Sequence, residues 1–410
     1  MKDRITNKIF DFYNNSHDFN GMPYWELEKL HISNLDSYLL QLIGENVISV
    51  NFTINPHIKQ FDFLIDKQLE YLEKNGFSQV CFYPTETLLN KTLKTDKFDN
   101  RPFTKMLAYG KPQLMPIFFK IEILNSYVTD PRYDVEHSSD YSGMICYKSE
   151  TDLEEQDQIL LETFGIGYKE EHERVIVVYL RYLSDLTPEH QQRWFTYIEK
   201  SKCREVYEYY QNSILGEWAE YSSIYEAFIE ELHHINNMSE KMFGKRLFIR
   251  DYKDERPEDF RTIFIPTLEN YYKFVHVLDK LMSENISKEF FKGKVKLENE
   301  IERKDGKIII QPKGTIKLFE EWLKKTVKIK KEEDFDLIFK PFKMVRKLRQ
   351  KPAHAINQNI YDKSYFKIQD DLIHQCYTSV RMIRLLFANH PAVKSYKVPD
   401  WLYDGKIKTF

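Results

Sequence analysis

An arginine and a histidine five positions apart, Arg349 and His354 in LRQKPAHAI (348–356), are residue types that can act together on a phosphodiester. Histidine titrates near neutrality, so it can take a proton from a 2′-hydroxyl or give one to a leaving 5′-oxygen. Arginine keeps its charge, and its fork can hold two non-bridging phosphate oxygens. Together they would let a 2′-hydroxyl attack its own phosphodiester, giving a 2′,3′-cyclic phosphate and a 5′-hydroxyl with no metal required. DNA lacks that hydroxyl, so the chemistry is confined to RNA. Spacing alone works against the pair, because five positions on an ideal helix are roughly 140° of rotation and about 7.5 Å of rise. Pro352 changes the geometry: it removes a helix hydrogen bond and clashes with the carbonyl of Leu348, bending or ending the helix. A long guanidinium arm and an imidazole past the bend could then converge on one phosphate. The bland reading is a surface arginine beside a histidine that caps the helix.

The elements that must position the pair lie after Pro266. Thr267–Phe291 runs without Gly or Pro, carries a broad apolar stripe and is closed by Lys292-Gly293. Glu298–Pro312 is polar around Asp305-Gly306 with a short Ile308–Ile310 run, which reads as an inserted hairpin arm. Thr315–Val327, Phe335–His354 and Ser364–Asn389 read as three more helices, the last stopped by Pro391. Four helices on short connectors predict a helical bundle.

Four helices with R-x4-H closing the third resemble the HEPN domain, a superfamily rich in RNases of toxin–antitoxin, phage-defence and RNA-decay systems. The resemblance is carried by KMVRKLRQKPAHAINQNIYDKSYFKIQDDLIHQCYTSVRMIRLLF, residues 343–387. It implies that Arg349 and His354 are the catalytic pair, with Gln350 at a polar position that assists. It also implies a homodimer through the C-terminal helices, each chain bringing its motif to one cleft, with RNA as substrate. A toxin or antiviral effector of abortive infection follows from the same resemblance, with a phage protein or an antitoxin as partner. Arg346, Lys347 and Lys351 would extend a basic track along the RNA backbone; as a plain reading they are a solvated helix end that complements its dipole. The alternative to an endoribonuclease is a non-catalytic module that binds RNA or a nucleotide, or only dimerises.

Other chemistry-bearing residues assemble into nothing. His233 and His234 are adjacent and point about 100° apart on a helix, which disfavours joint metal ligation. His374 reads as a packed or surface residue. Asp370-Asp371, Glu332-Glu333-Asp334 and Asp152–Asp157 are acidic runs without a convergent third ligand, so neither metal nor cofactor is expected. Cys81, Cys146, Cys203 and Cys376 form no C-x2-C pair.

The chain has 410 residues, 42% hydrophobic and 30% charged, which suits two or three folded domains. Aromatics reach 15%, and the runs around Trp25 and Tyr207 read as core more than as base-stacking platforms. From Pro266 to the end 30 Lys and Arg face 19 Asp and Glu, so a net +11 is set against −14 in the rest of the chain. Such asymmetry fits a basic part that meets a polyanion, or solvated lysine-rich linkers. No signal-peptide run and no apolar stretch of membrane-spanning length occurs, giving a cytoplasmic expectation with no membrane partner.

The whole is expected to be a multidomain α+β chain: a mixed α/β region over 1–150 of unknown role, a second over 151–255 passing from α/β to helical and continuous with the first on one reading, and the HEPN-like bundle over 265–410. In the first 150 residues Val47–Phe52 and Gln79–Phe82 predict strands around a helix in Phe61–Lys74. Val175–Leu183 predicts a buried strand, Glu189–Tyr210 and Glu217–His234 predict helices, and a domain boundary is expected between Asn236 and Pro266. A sensing or regulatory role is the expectation for this N-terminal part.

Overall fold

A computed structural model describes all residues except 94, 170–172, 303–307, 328–331 and 352–357. The fold is mixed α/β, and the chain divides into two compact units, Met1–Glu217 and Trp218–Phe410.

The first unit opens with helix α1 (Lys2–Asn15), which buries Ile5, Ile9 and Tyr13. Strands β1 (Met22–Pro23), β2 (Ile48–Asn51) and β3 (Cys81–Pro84) form a small antiparallel sheet with β3 central. Helices α2 (Leu35–Gly44) and α3 (Ile65–Asn75) cover it, with Leu39, Leu42, Ile43 and Leu72 in the shared core. Asn75-Gly76 ends α3 as its sequence predicts: Gly76 takes φ +73°, which few other residues tolerate.

A larger antiparallel sheet follows in the order β4 (Pro116–Lys120), β8 (Arg174–Tyr179), β7 (Leu160–Tyr168), β6 (Ser142–Tyr147), β5 (Tyr133–Glu136), with β9 (Arg204–Glu205) also paired to β7. All six residues of β8 are buried, because it is covered on both faces and flanked by β4 and β7; hence the unbroken VIVV run. The strand stops at Tyr179, where Leu180–Ser184 turn into a short helix, rather than running to Leu183. Gly165 is required by a close approach: a Cβ there would lie 2.3 Å from the Tyr209 ring.

Helix α4 (Pro188–Thr196) starts at the predicted Thr187 cap, whose hydroxyl accepts from the His190 amide. It ends 14 residues before Tyr210 because the chain is recaptured by the sheet edge: Lys120 N–H donates to the Tyr197 carbonyl and Glu199 N–H to that of Phe118. This sheet spans 116–205, so residue 150 is no boundary; the 1–150 and 151–255 regions share one set of strands.

The second unit is mainly helical. Strand β10 (Ser222–Ser223) leads into α5 (Ile224–Phe243), capped by the Ser223 hydroxyl on the Glu226 amide. Then come α6 (Leu268–Asp279), the hairpin β11 (Glu298–Glu302) and β12 (Ile308–Pro312), α7 (Thr315–Thr326), α8 (Glu332–Gln350) and α9 (Ser364–Ala388). A last strand β13 (Ile407–Lys408) pairs parallel with β10. The hairpin arm forms where expected, with Ile308 and Ile310 exposed at 64% and 62%, so it contributes little to the core.

Two features depart from the sequence expectation. First, α5 packs along α9, and the second unit begins at Trp218, ahead of the expected boundary at 236–266. Arg384 of α9 donates through Nε and, at 3.1 Å, through Nη2 to the fully buried Glu231 carboxylate of α5. The polar stretch 236–257 is the last two turns of α5 followed by a loop of this unit, not the place where the unit begins. Second, the helix expected over Thr267–Phe291 breaks at Asn285. The Asn285 side chain accepts from the Arg250 amide at 2.9 Å and donates to the Arg250 carbonyl at 2.7 Å, drawing the chain out of the helix; Ile286 then bridges to Phe248.

Candidate functional site

Helix α8 buries Ile338, Phe339, Phe342 and Val345. Arg346 and Arg349 continue that stripe at spacings of four and seven from Phe342, so both follow the packed face instead of pointing away from it. They arrive at α6, whose own buried stripe of Tyr271, Phe274, Val275 and Leu278 continues into an acid, Asp279, with 0% exposure.

Arg349 Nη1 donates to Asp279 Oδ2 at 2.8 Å and to Glu284 Oε1, while Arg346 Nε stands 3.2 Å from Asp279 Oδ1 and its Nη1 3.7 Å from Glu284 Oε1. Two guanidiniums and two carboxylates thus form one closed square of charge. A single buried carboxylate would be strongly destabilising without them.

The two acids reach one nitrogen because α6 does not end as a regular helix. Lys280–Glu284 form a π turn, wider than the α-helix before it. Five positions in an α-helix would separate the two side chains by roughly 140°; the wide turn absorbs the extra residue, a device that recurs at functional sites. Burial pushes the Glu284 carboxyl up, but the Arg349 hydrogen bond and the charges of Arg349 and Arg346 outweigh it and hold it below its ordinary value. The Glu284 hydrogen bond in turn raises the Arg349 pKa further.

All contacts of Arg349 with described residues run through Nη1. Its Nε–Nη2 edge, the one that can grip two oxygens side by side, has no described partner. The Arg349 side chain is 27% exposed and that of Arg346 31%, so both are partly open to solvent. Arg346 also lines an open groove of about 600 Å³ with Lys317, Glu320, Lys324 and Lys343. Glu320 is held below its ordinary pKa by Lys343 and Lys324, whose hydrogen bonds outweigh its burial. The chemistry available is that of an arginine pair, with one fork that no described residue engages, beside a lysine-bordered groove, suited to phosphate oxygens.

The site residues named from the sequence divide. Arg349 and Arg346 come together, on acids that went unremarked. Lys347 and Gln350, in the last turn of α8, and Lys351, just beyond it, are exposed. Pro352 and His354 lie outside the described residues. Asp279 and Glu284 carried one legible signal: Asp279 sits in phase with an apolar stripe, where a charge demands a partner.

The other candidates resolve into structure. His233 Nδ1 stands 3.0 Å from Asp251 Oδ2, and its Nε2 accepts from Asn237 at 2.8 Å. His234 Nδ1 is 2.7 Å from the Tyr396 hydroxyl, and its Nε2 lies 3.3 Å from Glu230, which Lys253 also meets at 2.8 Å. The chain Asp251–His233–Asn237–Tyr396–His234–Glu230–Lys253 therefore pins the 246–258 loop to α5. His374 sits 2.7 Å from the Thr409 hydroxyl, and Asp371 is exposed. The side chains of 332–334 lie outside those described. Among the described residues no cluster of three or more His, Cys, Asp or Glu could hold a metal, and no helix is long and apolar enough to cross a membrane.

Cys81 Sγ lies 3.5 Å from His57 Nδ1, but burial pushes the thiol up to about 12, so the pair holds no thiolate nucleophile at neutral pH.

Comparison of the chain with family models, with curated proteins and with solved structures gives no match.

Proposed function

We propose that the second unit is a metal-independent endoribonuclease of HEPN-like character. The observation that carries it is the Arg346–Arg349 pair, anchored on the buried Asp279 and the exposed Glu284, with no described residue on the Nε–Nη2 fork of Arg349, one turn before the segment that contains His354. Arg349 would hold two non-bridging oxygens of a phosphodiester, and the lysine-bordered groove would take its neighbours along the strand. His354 would move the proton. The 2′-oxygen attacks phosphorus and gives up its hydrogen, the P–O5′ bond breaks, and the leaving oxygen is protonated, leaving a 2′,3′-cyclic phosphate and a 5′-hydroxyl. Two chains paired through the C-terminal helices would set two such motifs in one cleft. In this reading the first unit senses or restrains, and the whole acts as a toxin or phage-defence effector.

The experiment is RNA cleavage in EDTA by the full chain, with Arg349→Ala and His354→Ala measured beside it. Both variants should fold and lose cleavage; retained cleavage in either would sink the assignment. A second reading is a binding or dimerisation module without catalysis. It is favoured by the ion pairs that already neutralise Arg349 Nη1, and it predicts RNA retention with no cyclic-phosphate product.

A further inference from the structure

We infer that the position between Arg346 and Arg349 is a second phosphate subsite, occupied until a ligand arrives by the displaceable carboxylate of Glu284. The inference rests on the reading of Arg349 as a phosphate ligand, and adds where the next phosphate of the strand goes.

The two acids that meet these arginines are not equivalent. Asp279 has 0% exposure and uses both oxygens, Oδ2 toward Arg349 Nη1 at 2.8 Å and Oδ1 toward Arg346 Nε at 3.2 Å. The Glu284 side chain is 39% exposed and meets both guanidiniums through one atom, Oε1. Arg349 Nη1 donates to that oxygen, and Arg346 Nη1 stands 3.7 Å from it. Its Oε2 meets no described residue. The permanent pair of the same unit is built otherwise: Glu231 takes Arg384 on both oxygens, and its side chain is fully buried. A buried charge stripped of its partner is strongly destabilising, so Glu231 and Asp279 stay where they are. A one-oxygen contact at an exposed carboxylate is weak, because water solvates the acid again as it leaves.

The surroundings favour the exchange. Glu284 ends the π turn, and its neighbour Asn285 is fixed to Arg250 by hydrogen bonds of 2.7 and 2.9 Å. The side chain can therefore swing while the backbone stays. Two guanidiniums and two carboxylates sum to zero charge, and a phosphodiester carries a single negative charge. Its entry in place of one carboxylate keeps that sum, so no net charge is left uncompensated. Arg346 also lines the lysine-bordered groove. A strand lying there, with one phosphate on the Nε–Nη2 edge of Arg349, presents its next phosphate to the place that Glu284 vacates. The ligand class is a chain of singly charged phosphodiesters, as in the RNA backbone.

The test is binding, kept separate from cleavage. A fluorescein-labelled 2′-O-methyl oligouridylate, which lacks the hydroxyl that cleavage needs, is titrated with the full chain and followed by anisotropy. Glu284→Gln should bind it roughly fivefold tighter than wild type or better, with thermal melts as the folding control. Glu284→Asp keeps the charge but withdraws it from Nη1, and should move in the same direction. In an Arg349→Ala background the Glu284→Gln gain should vanish, since the exchange runs through that guanidinium. The inference is overturned if Glu284→Gln stays within about twofold of wild type, or if its gain survives in Arg349→Ala. A gain in Glu284→Gln with none in Glu284→Asp also overturns it, because general charge and not the contact would then be at work. If wild type cleaves RNA while these variants show no gain, the nuclease reading stands without the second subsite. If the gains appear and nothing cleaves, the subsite stands and the nuclease reading falls. Failure of every form to bind the probe overturns both.

Discussion

Two polar clusters in the second unit are built from the same kinds of side chain and end in opposite conditions. Around α5, the histidines, acids and Lys253 face one another and Tyr396 at hydrogen-bond or ion-pair distance, and the result fastens a loop. Between α6 and α8, the acids are answered but the cations are not exhausted: among the described residues Arg349 is engaged through Nη1 alone. Closure is what a structural network needs, since a half-satisfied buried group is destabilising. Residual donors and acceptors at a solvent-reached cationic site are what a ligand needs. The difference separates residues that hold the fold from residues that can hold a substrate, although both sets are partly buried and charged.

That contrast breaks most visibly at Arg349. Arg349→Ala should lower RNA cleavage by about 10³-fold or more, about 4 kcal/mol of transition-state stabilisation, measured as cyclic-phosphate product. Arg349→Lys should not restore it, because an ammonium cannot grip two oxygens in parallel.

The closed side of the contrast is tested by stability. Glu231→Ala leaves Arg384 buried and unpaired, which should cost about 3–5 kcal/mol in urea denaturation. The paired change Glu231→Leu with Arg384→Met should recover most of it; no recovery would mean that the ion pair does more than join α5 to α9.

Smaller still, His233→Ala should cost about 1–3 kcal/mol by orphaning Asp251 and Asn237, with cleavage per folded molecule unchanged. A collapse of cleavage there would erase the distinction between the clusters.

The finest test is pH. Glu230 is shifted from its ordinary 4.5 to about 2, chiefly by the His234 hydrogen bond against an opposing effect of burial, with Lys253 adding to it. A lowered carboxylate pKa contributes stability above the unfolded value and loses it as pH falls through the folded one. The stability gap between wild type and Glu230→Gln should be full at neutral pH and close between about 4.5 and about 2, followed by thermal melts.

The sequence made the local elements legible and the long-range ones not. Thr187-Pro188, Asn75-Gly76 and the valine run of β8 announce a cap, a stop and a buried strand through contacts within a few residues. The end of α4 and the break at Asn285 were hidden because each is decided by a distant partner, the β4 edge in one case and Arg250 in the other. The same holds for the site. Arg349 and Arg346 could be named from their neighbourhood in the chain, whereas Asp279 lies 70 positions from Arg349 and declared itself only as a charge in apolar phase. The domain edge was misplaced for a related reason: the polar 236–257 stretch resembles a linker, while the Glu231–Arg384 pair that binds α5 to this unit spans 153 positions.

The wide turn at Lys280–Glu284 has an evolutionary consequence. Inserting one residue in a helix normally rotates everything beyond it, yet here the added length is taken up locally and only the last carboxylate is advanced. An acid pair can thus survive a single-codon insertion between its members, with no substitution at either acid. Deletion of one residue within 280–283 would return the two acids to a four-residue α-helical spacing, roughly 40° apart, and keep both beside the guanidiniums.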